Sequence, residues 1–275
     1  MLGEALRQAR ATLASSSDSA RLDAELLLAQ VLGCTRTQLR LRDADELAPD
    51  DAARFDALLQ RRLNNEPVAY LLGSQEFWSL TLEVGREVLV PRPETELLVD
   101  WALALLPRAS TAVMADLGTG SGALALAIAS ERPHAEIHAS DLSVDALAVA
   151  RRNARRLDLA VQFHQGSWWD ALPPALRFAL VVSNPPYIAA DDPHLGLLQH
   201  EPRLALSDEA DGLQALRAII IGAPARLEAG GWLLVEHGYD QGAAVRALFA
   251  AAGFTDIATR RDLEHRERCT GGRKP

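Results

Sequence analysis

From Met1 to about Asn65 the apolar residues recur at helical spacing, as in Leu22, Leu26, Leu27 and Val31, and later in Phe55, Leu58, Leu59 and Leu63. The punctuation agrees. Asp18 or Ser19 stands where a helix wants an N-cap, Gly33 where a left-handed stop is wanted, and Pro49 suits the first turn of another helix. Residues 1–74 therefore read as a small helical domain, expected to recognise a substrate.

Between Gln75 and Val90 the period shortens to two. Phe77, Leu80, Leu82 and Val84 precede Gly85-Arg86, and Val88 and Val90 follow it, which predicts a β-hairpin turning at 85–86. Residues 75–92 are expected to link two domains. Pro91-Arg92-Pro93 can continue neither a helix nor a central strand, so a bend is expected before a helix over 94–106.

In the remaining domain, 93–275, short apolar runs alternate with helical stretches. Strands are predicted at 112–117, 136–140, 161–164, 178–183, 232–236, 254–259 and 266–270, with helices at 123–130, 144–157, 213–227 and 241–251. This order specifies an α/β fold, a doubly wound, mainly parallel sheet of seven strands covered by helices on both faces. The last two strands lack a crossover helix, which points to an antiparallel edge.

Composition narrows the function classes. The 275 residues carry 28 basic and 37 acidic side chains, a net charge of −9 that argues against a protein coating a polyanion. Lys274 is the only lysine, and the arginines are not gathered in one tract. Cys34 and Cys269 lie far apart, giving neither a disulfide framework nor a paired-cysteine metal knuckle, and a reducing cytosol is the expected location. Uninterrupted apolar runs are too short for a membrane span, and the opening residues read as an amphipathic helix rather than a signal peptide.

Chemistry concentrates at strand ends. Asp116-Leu117-Gly118-Thr119-Gly120-Ser121-Gly122 closes the first strand of the sheet and opens a helix, the place where a doubly wound sheet binds its cofactor. Gly118, Gly120 and Ala123 also satisfy the dinucleotide fingerprint, so the loop alone admits more than one cofactor. Asp116 discriminates: a carboxylate just before the loop repels a pyrophosphate and attracts the ammonium of an amino-acid group, such as S-adenosylmethionine carries. Asp141 ends the second strand, 25 residues beyond Asp116, where it suits two ribose hydroxyls or, more plainly, a helix cap. Of Trp168 and Trp169 after the third strand, Trp168 is expected to pack on an adenine and Trp169 to be core.

The most specific feature is Asn184-Pro185-Pro186-Tyr187 after the fourth strand, on the same edge as the glycine turn. Two prolines remove two N–H donors and stiffen the loop, leaving carbonyl acceptors with few competing donors. The Asn184 side-chain oxygen and the Pro185 carbonyl suit the two hydrogens of a planar NH2 group, with Tyr187 covering its flat face. Such a nitrogen is a poor nucleophile, so positioning and acceptors that strengthen as positive charge grows are what it needs.

With these residues in hand, the chain resembles the class I S-adenosylmethionine-dependent methyltransferases that modify planar NH2 groups. Pro67-Val68-Ala69-Tyr70-Leu71-Leu72-Gly73, Phe77, Val90-Pro91-Arg92-Pro93-Glu94-Thr95-Glu96 and Glu201-Pro202-Arg203-Leu204-Ala205-Leu206 narrow the resemblance, over essentially the whole chain, to the release-factor glutamine methyltransferases, the PrmC/HemK family. The resemblance implies N5-methylation of the glutamine in the Gly-Gly-Gln motif of class 1 peptide chain release factors. It implies cofactor contacts from Asp116, Gly118, Thr119, Gly120, Ser121, Gly122, Asp141, Trp168 and Asn184. It places the substrate amide at Asn184, Pro185, Pro186 and Tyr187, with Asn184, Pro185 and Tyr187 catalytic, and it implies no metal, direct nucleic-acid contact or membrane. Ser167 departs from the family pattern, which often has an acidic residue there.

Other constellations are set aside. His134 and His138 have the spacing of a helical metal pair, but Pro133 and the apolar run after it place them at the start of a strand. Arg151, Arg152, Arg155 and Arg156 read as one solvated helix face, and Glu236-His237 as strand-end polar residues. The rival readings are an adenine-N6 or cytosine-N4 methyltransferase, a nicotinamide-dependent dehydrogenase and a ligand-sensing adaptor. The net charge and the lack of a basic target-recognition segment argue against the first.

Overall fold

The structure, a computed structural model, describes residues 1–275 apart from the side chain of His194. The chain divides into two compact units, Met1–Ser74 and Gln75–Pro275. The first is helical: α1 (Leu2–Leu13), α2 (Ala20–Leu32), α3 (Arg36–Arg40), α4 (Pro49–Leu63) and α5 (Val68–Leu72). Leu2, Leu13, Leu27, Leu28, Leu39 and Phe55 form its buried centre. Gly33 ends α2 at a φ of 60°, and Pro49 opens α4. Ser19 sits at the N-cap position of α2, but its hydroxyl donates to Asp23 instead of accepting from the helix.

Two buried carboxylates organise this unit. Asp23 accepts from Ser17, Ser19 and Arg62. Burial alone would raise the Glu25 carboxyl, but hydrogen bonds from Arg36, Arg21 and Arg40 more than offset it and bring it down to about 2.

In the second unit a hairpin of β1 (Ser74–Phe77) and β2 (Leu80–Glu83) comes first. Its turn is Trp78-Ser79, not Gly85-Arg86 as the sequence predicts. Both turn residues have positive φ, 49° and 61°, the geometry a two-residue hairpin requires. Neither is the Gly, Asn or Asp that normally signals it. Glu96 accepts from the Trp78 backbone N–H and Glu131 from its indole, so tertiary bonds hold what propensity does not. Phe77 and Leu82 are buried against the core of this unit.

A 3-10 turn, Pro93–Thr95, leads into α6 (Glu96–Leu105), and then strand and helix alternate. The order is β3 (Val113–Leu117), α7 (Ala123–Glu131), β4 (Glu136–Asp141), α8 (Val144–Leu157), β5 (Gln162–Gln165), β6 (Phe178–Ser183), α9 (Arg203–Leu206), α10 (Gln214–Gly222), β7 (Leu227–Glu236), α11 (Gly242–Ala251), β8 (Thr255–Arg261) and β9 (Glu267–Arg273). The sheet runs β5-β4-β3-β6-β7-β9-β8, parallel except for β9, which pairs antiparallel with both β7 and β8.

Side chains alternate between two cores. Met114, Leu180, Val182 and Leu234 face α6 and α7, whereas Ala115, Leu117, Val181, Leu233 and Val235 face α10 and α11. The order reverses at β3, flanked by β4 and β6, and this switch point is where an open α/β sheet forms its crevice. Register aligns the rim: Leu117 lies beside Ser140 on one side and Ser183 on the other.

Candidate active site

The glycine turn is held from below. Gly118 and Thr119 both donate backbone N–H to the Ser140 carbonyl at 2.9 Å, and the Ser183 hydroxyl donates to the Leu117 carbonyl at 2.6 Å. Gly118, Gly120 and Gly122 have φ of 74°, 55° and 87°. Gly122 does not line the cleft; a Cβ there would stand 2.9 Å from Leu126, so this glycine serves close packing of α7.

Asp116 is fully buried beneath the turn and does not line the cleft. Its Oδ2 accepts from the Thr119 hydroxyl at 2.6 Å and the Ala125 N–H at 3.3 Å, while Oδ1 has no partner among the described residues. Burial pushes the carboxyl up to about 7, against the lowering effect of those two bonds, and the nearby Asp141 raises it further. The sequence predicts that Asp116 attracts the ammonium group of the cofactor. In the structure it lies under the loop and not at the cleft wall.

Asp141 reaches the cleft and does two jobs there. Oδ2 accepts from the Gly120 N–H at 2.9 Å, and Oδ1 from the Ser143 N–H at 2.8 Å. The cap of α8 itself is Ser143, whose hydroxyl accepts from Ala146. Burial raises the Asp141 carboxyl, against hydrogen bonds from Ser143, Gly120 and Leu142.

The two tryptophans part company. Trp168 lines the cleft and lies against Gly118, where a Cβ would come within 3.2 Å of the indole. Trp169 turns to α10, its indole N–H donating to the Ile219 carbonyl at 3.0 Å and its ring lying on Gly222.

Together these edges enclose a cleft of about 540 Å³, in the range of small-molecule sites. Gly118, Thr119, Gly120, Ser121, Asp141, Ser167, Trp168, Asn184 and Pro186 line it. A smaller cavity of about 90 Å³ adjoins it, lined by Asn184, Pro185, Tyr187, Arg92 and Glu236, so Asn184 and Arg92 stand at both. Asn184 donates from Nδ2 to Thr95 Oγ1 at 3.1 Å, and Tyr187 donates its hydroxyl to Glu236 at 3.2 Å. The Gln241 amide fixes the Tyr187 carbonyl at 3.0 Å.

Three groups at this edge make contacts that the sequence does not disclose. Glu236, at the end of β7, is almost fully buried and accepts from Thr95 as well as from Tyr187. Burial pushes its carboxyl up to about 7 against those bonds and nearby Arg268, and the same burial, with the Glu236 charge, drives the Tyr187 phenol well up. Glu201 ties the segment before α6 to the β6–α10 connection, accepting from Arg92 and from the Val90 N–H. Asn153 on α8 joins the glycine turn to the hairpin, donating to the Ser121 and Glu83 carbonyls and accepting from the Glu83 N–H.

His138 is buried on β4, its ring against His164 and Glu136, and His134 precedes the strand. Among the described residues no group of three or more His, Cys, Asp and Glu side chains is arranged to hold a metal ion. Arg152 and Arg156 are not merely solvated: they reach Glu83 and the Thr81 carbonyl of the hairpin, and Arg151 lies over Phe163. No helix is long and apolar enough to cross a membrane among the described residues.

A seven-stranded sheet with this order, with its cleft at the β3/β6 switch, defines a class I methyltransferase fold. Family models agree: the PrmC N-terminal domain matches residues 4–73, and the methyltransferase small domain matches residues 95–200. The release factor glutamine methyltransferase of Burkholderia pseudomallei is 52% identical over 273 residues, covering 96% of this chain and 96% of that protein. That of Salmonella typhimurium is 47% identical, covering 99% and 97%. Among solved structures, the Thermus thermophilus 16S rRNA N2 G1207 methyltransferase RsmC, in complex with AdoMet and guanosine, superposes with a TM-score of 0.56 at 19% identity, over 74% of this chain and 50% of that one. That likeness concerns the fold alone. The chain belongs to the release factor glutamine methyltransferase family.

Proposed function

We propose that this protein transfers a methyl group from S-adenosylmethionine to the side-chain amide nitrogen of the glutamine in the Gly-Gly-Gln motif of class 1 peptide chain release factors, in the cytosol, with the helical unit 1–74 recognising the substrate. The observation that carries the reading is the stiffened Asn184-Pro185-Pro186-Tyr187 loop, which brings Asn184 to the wall shared by the large cleft and the small cavity.

The residues present fit the cofactor. Gly118 and Gly120, both at positive φ, let the backbone approach a ligand, Asp141 presents a carboxylate at the rim, and Trp168 offers a flat face. Beneath the turn, the unpartnered Asp116 oxygen leaves a buried carboxylate whose charge an ammonium group bound above would offset. When bound, S-adenosylmethionine supplies an electrophilic methyl group on a sulfonium.

The chain's part is positioning and charge. Among the described residues no donor reaches Asn184 Oδ1 or the Pro185 carbonyl, so both stay available for the two hydrogens of an amide NH2. Gripped there, the nitrogen is held for in-line attack, and the two acceptors strengthen their hold as it becomes cationic. The proton is lost after transfer, so no strong base is needed. Incubation with S-adenosylmethionine, a class 1 release factor and, in parallel, duplex DNA tests the reading by mass spectrometry. Methylation of the factor's glutamine is expected; methylated bases with an unmodified factor would replace the reading by a nucleic-acid one.

A further inference from the structure

Asn184 carries both a donor and an acceptor, and its use depends on which of them faces the substrate. Three hydrogen bonds decide this. Tyr187 donates to Glu236 Oε1 at 3.2 Å, Thr95 donates to Glu236 Oε2 at 2.7 Å, and Asn184 Nδ2 donates to Thr95 Oγ1 at 3.1 Å. A hydroxyl has a single proton. Once Thr95 gives it to the ionised carboxylate, only lone pairs of Oγ1 remain toward Asn184, so the NH2 end of the amide must turn to Thr95. A flipped amide would set two acceptors against each other. Thr95 and Glu236 are buried, at 4% and 1% exposure, so water does not compete for these bonds.

We propose that Thr95 and Glu236 are positioning residues that lock Asn184 with its oxygen toward the substrate, and that this polarity makes the site select a carboxamide over a carboxylate of the same shape. The inference rests on the glutamine reading above and names the basis of its specificity. A glutamate side chain brings only acceptors to Asn184 Oδ1 and the Pro185 carbonyl, with no proton between them. Sites that must hydrogen-bond a substrate N–H reject an analogue lacking it by roughly ten-thousand-fold in favourable cases. Thr95→Val keeps the shape but removes the partner of Nδ2, freeing the Asn184 amide to turn over. Glu236→Gln introduces an amide donor toward Thr95, whose hydroxyl proton is then free to point at Asn184.

The test uses a class 1 release factor as substrate, and the same factor with its Gly-Gly-Gln glutamine changed to glutamate as competitive inhibitor, at a pH of about 8, above the value of about 7 to which burial raises Glu236. Thr95→Val is expected to lower kcat on the order of 100-fold, as a misaligned nucleophile does. Its preference for the glutamine factor over the glutamate factor should narrow about tenfold or more, with S-adenosylhomocysteine affinity within about threefold of native. Thr95→Ser should restore both rate and preference, and Glu236→Gln should share the losses. Thr95→Val with a native rate overturns the proposal, and so does a slowed variant with unchanged preference, because that pattern is structural only. If Thr95→Val does not fold, the preference of Glu236→Gln decides by the same criterion. A native protein that leaves the factor unmethylated overturns the functional reading and this inference with it, whereas a native protein that methylates while both variants keep their preference overturns the inference alone.

Discussion

The Trp168 indole lies so close to Gly118 that a Cβ on the glycine would meet the ring at 3.2 Å. The segment after β5 and the turn after β3 thus close a narrow slot, and the glycine is needed both for its φ of 74° and for the missing side chain. Gly118→Ala is expected to weaken S-adenosylhomocysteine binding about tenfold or more by calorimetry. Gly120, with nothing within 4 Å of its Cβ position, should suffer only the backbone strain of about 1–2 kcal/mol when changed to alanine. Equal losses at the two positions would contradict the slot.

Asp141 separates affinity from stability. Asp141→Ala frees the N–H groups of Gly120 and Ser143, which should cost about 1–2 kcal/mol of folding stability and weaken the cofactor by about 100-fold through a lost ribose contact. An unchanged dissociation constant alongside reduced stability would leave Asp141 as a brace of the turn alone.

Asp116 predicts a pH dependence. Burial raises its folded carboxyl to about 7 from the ordinary 3.8, so between those values the folded protein binds more of this proton than the unfolded chain does. Raising the pH through that window therefore removes stability. Asp116→Asn, which keeps the shape without the charge, should be more stable than the native apoprotein by a few kcal/mol at a pH of about 8, with the gap closing toward a pH of about 4. Denaturant titrations at both pH values check it, and a gap that widens on acidification would reverse the assignment.

Asn153 is fully buried and serves the hairpin and the glycine turn at once. Asn153→Ala leaves the Glu83 N–H and two carbonyls unsatisfied, so a loss of about 2–4 kcal/mol is expected in urea unfolding. A loss within about 0.5 kcal/mol would mean that these bonds are readily replaced.

What the sequence discloses is local. β6 over 178–183 and α8 over 144–157 follow directly from apolar periodicity and capping, and the glycine turn from its own composition. The hairpin turns at Trp78-Ser79 and not at Gly85-Arg86, because Trp78 is held by Glu96 and Glu131, which are distant in sequence. Glu236 looked like an ordinary strand end for the same reason: its partners Thr95 and Tyr187 lie 141 and 49 residues away along the chain. Asp116 was legible as an acid before a glycine turn, but not as a buried one, because burial depends on how Thr119 and Ala125 fold over it.

Asn184 is proposed as the acceptor that aligns a planar nitrogen. The most direct measurement pairs single-turnover methyl transfer to a class 1 release factor with calorimetric S-adenosylhomocysteine binding, in native protein and Asn184→Ala. The prediction is a loss of about 2–4 kcal/mol in transition-state stabilisation with cofactor affinity nearly native. Native turnover in Asn184→Ala, or a slow rate explained wholly by lost cofactor binding, would contradict it.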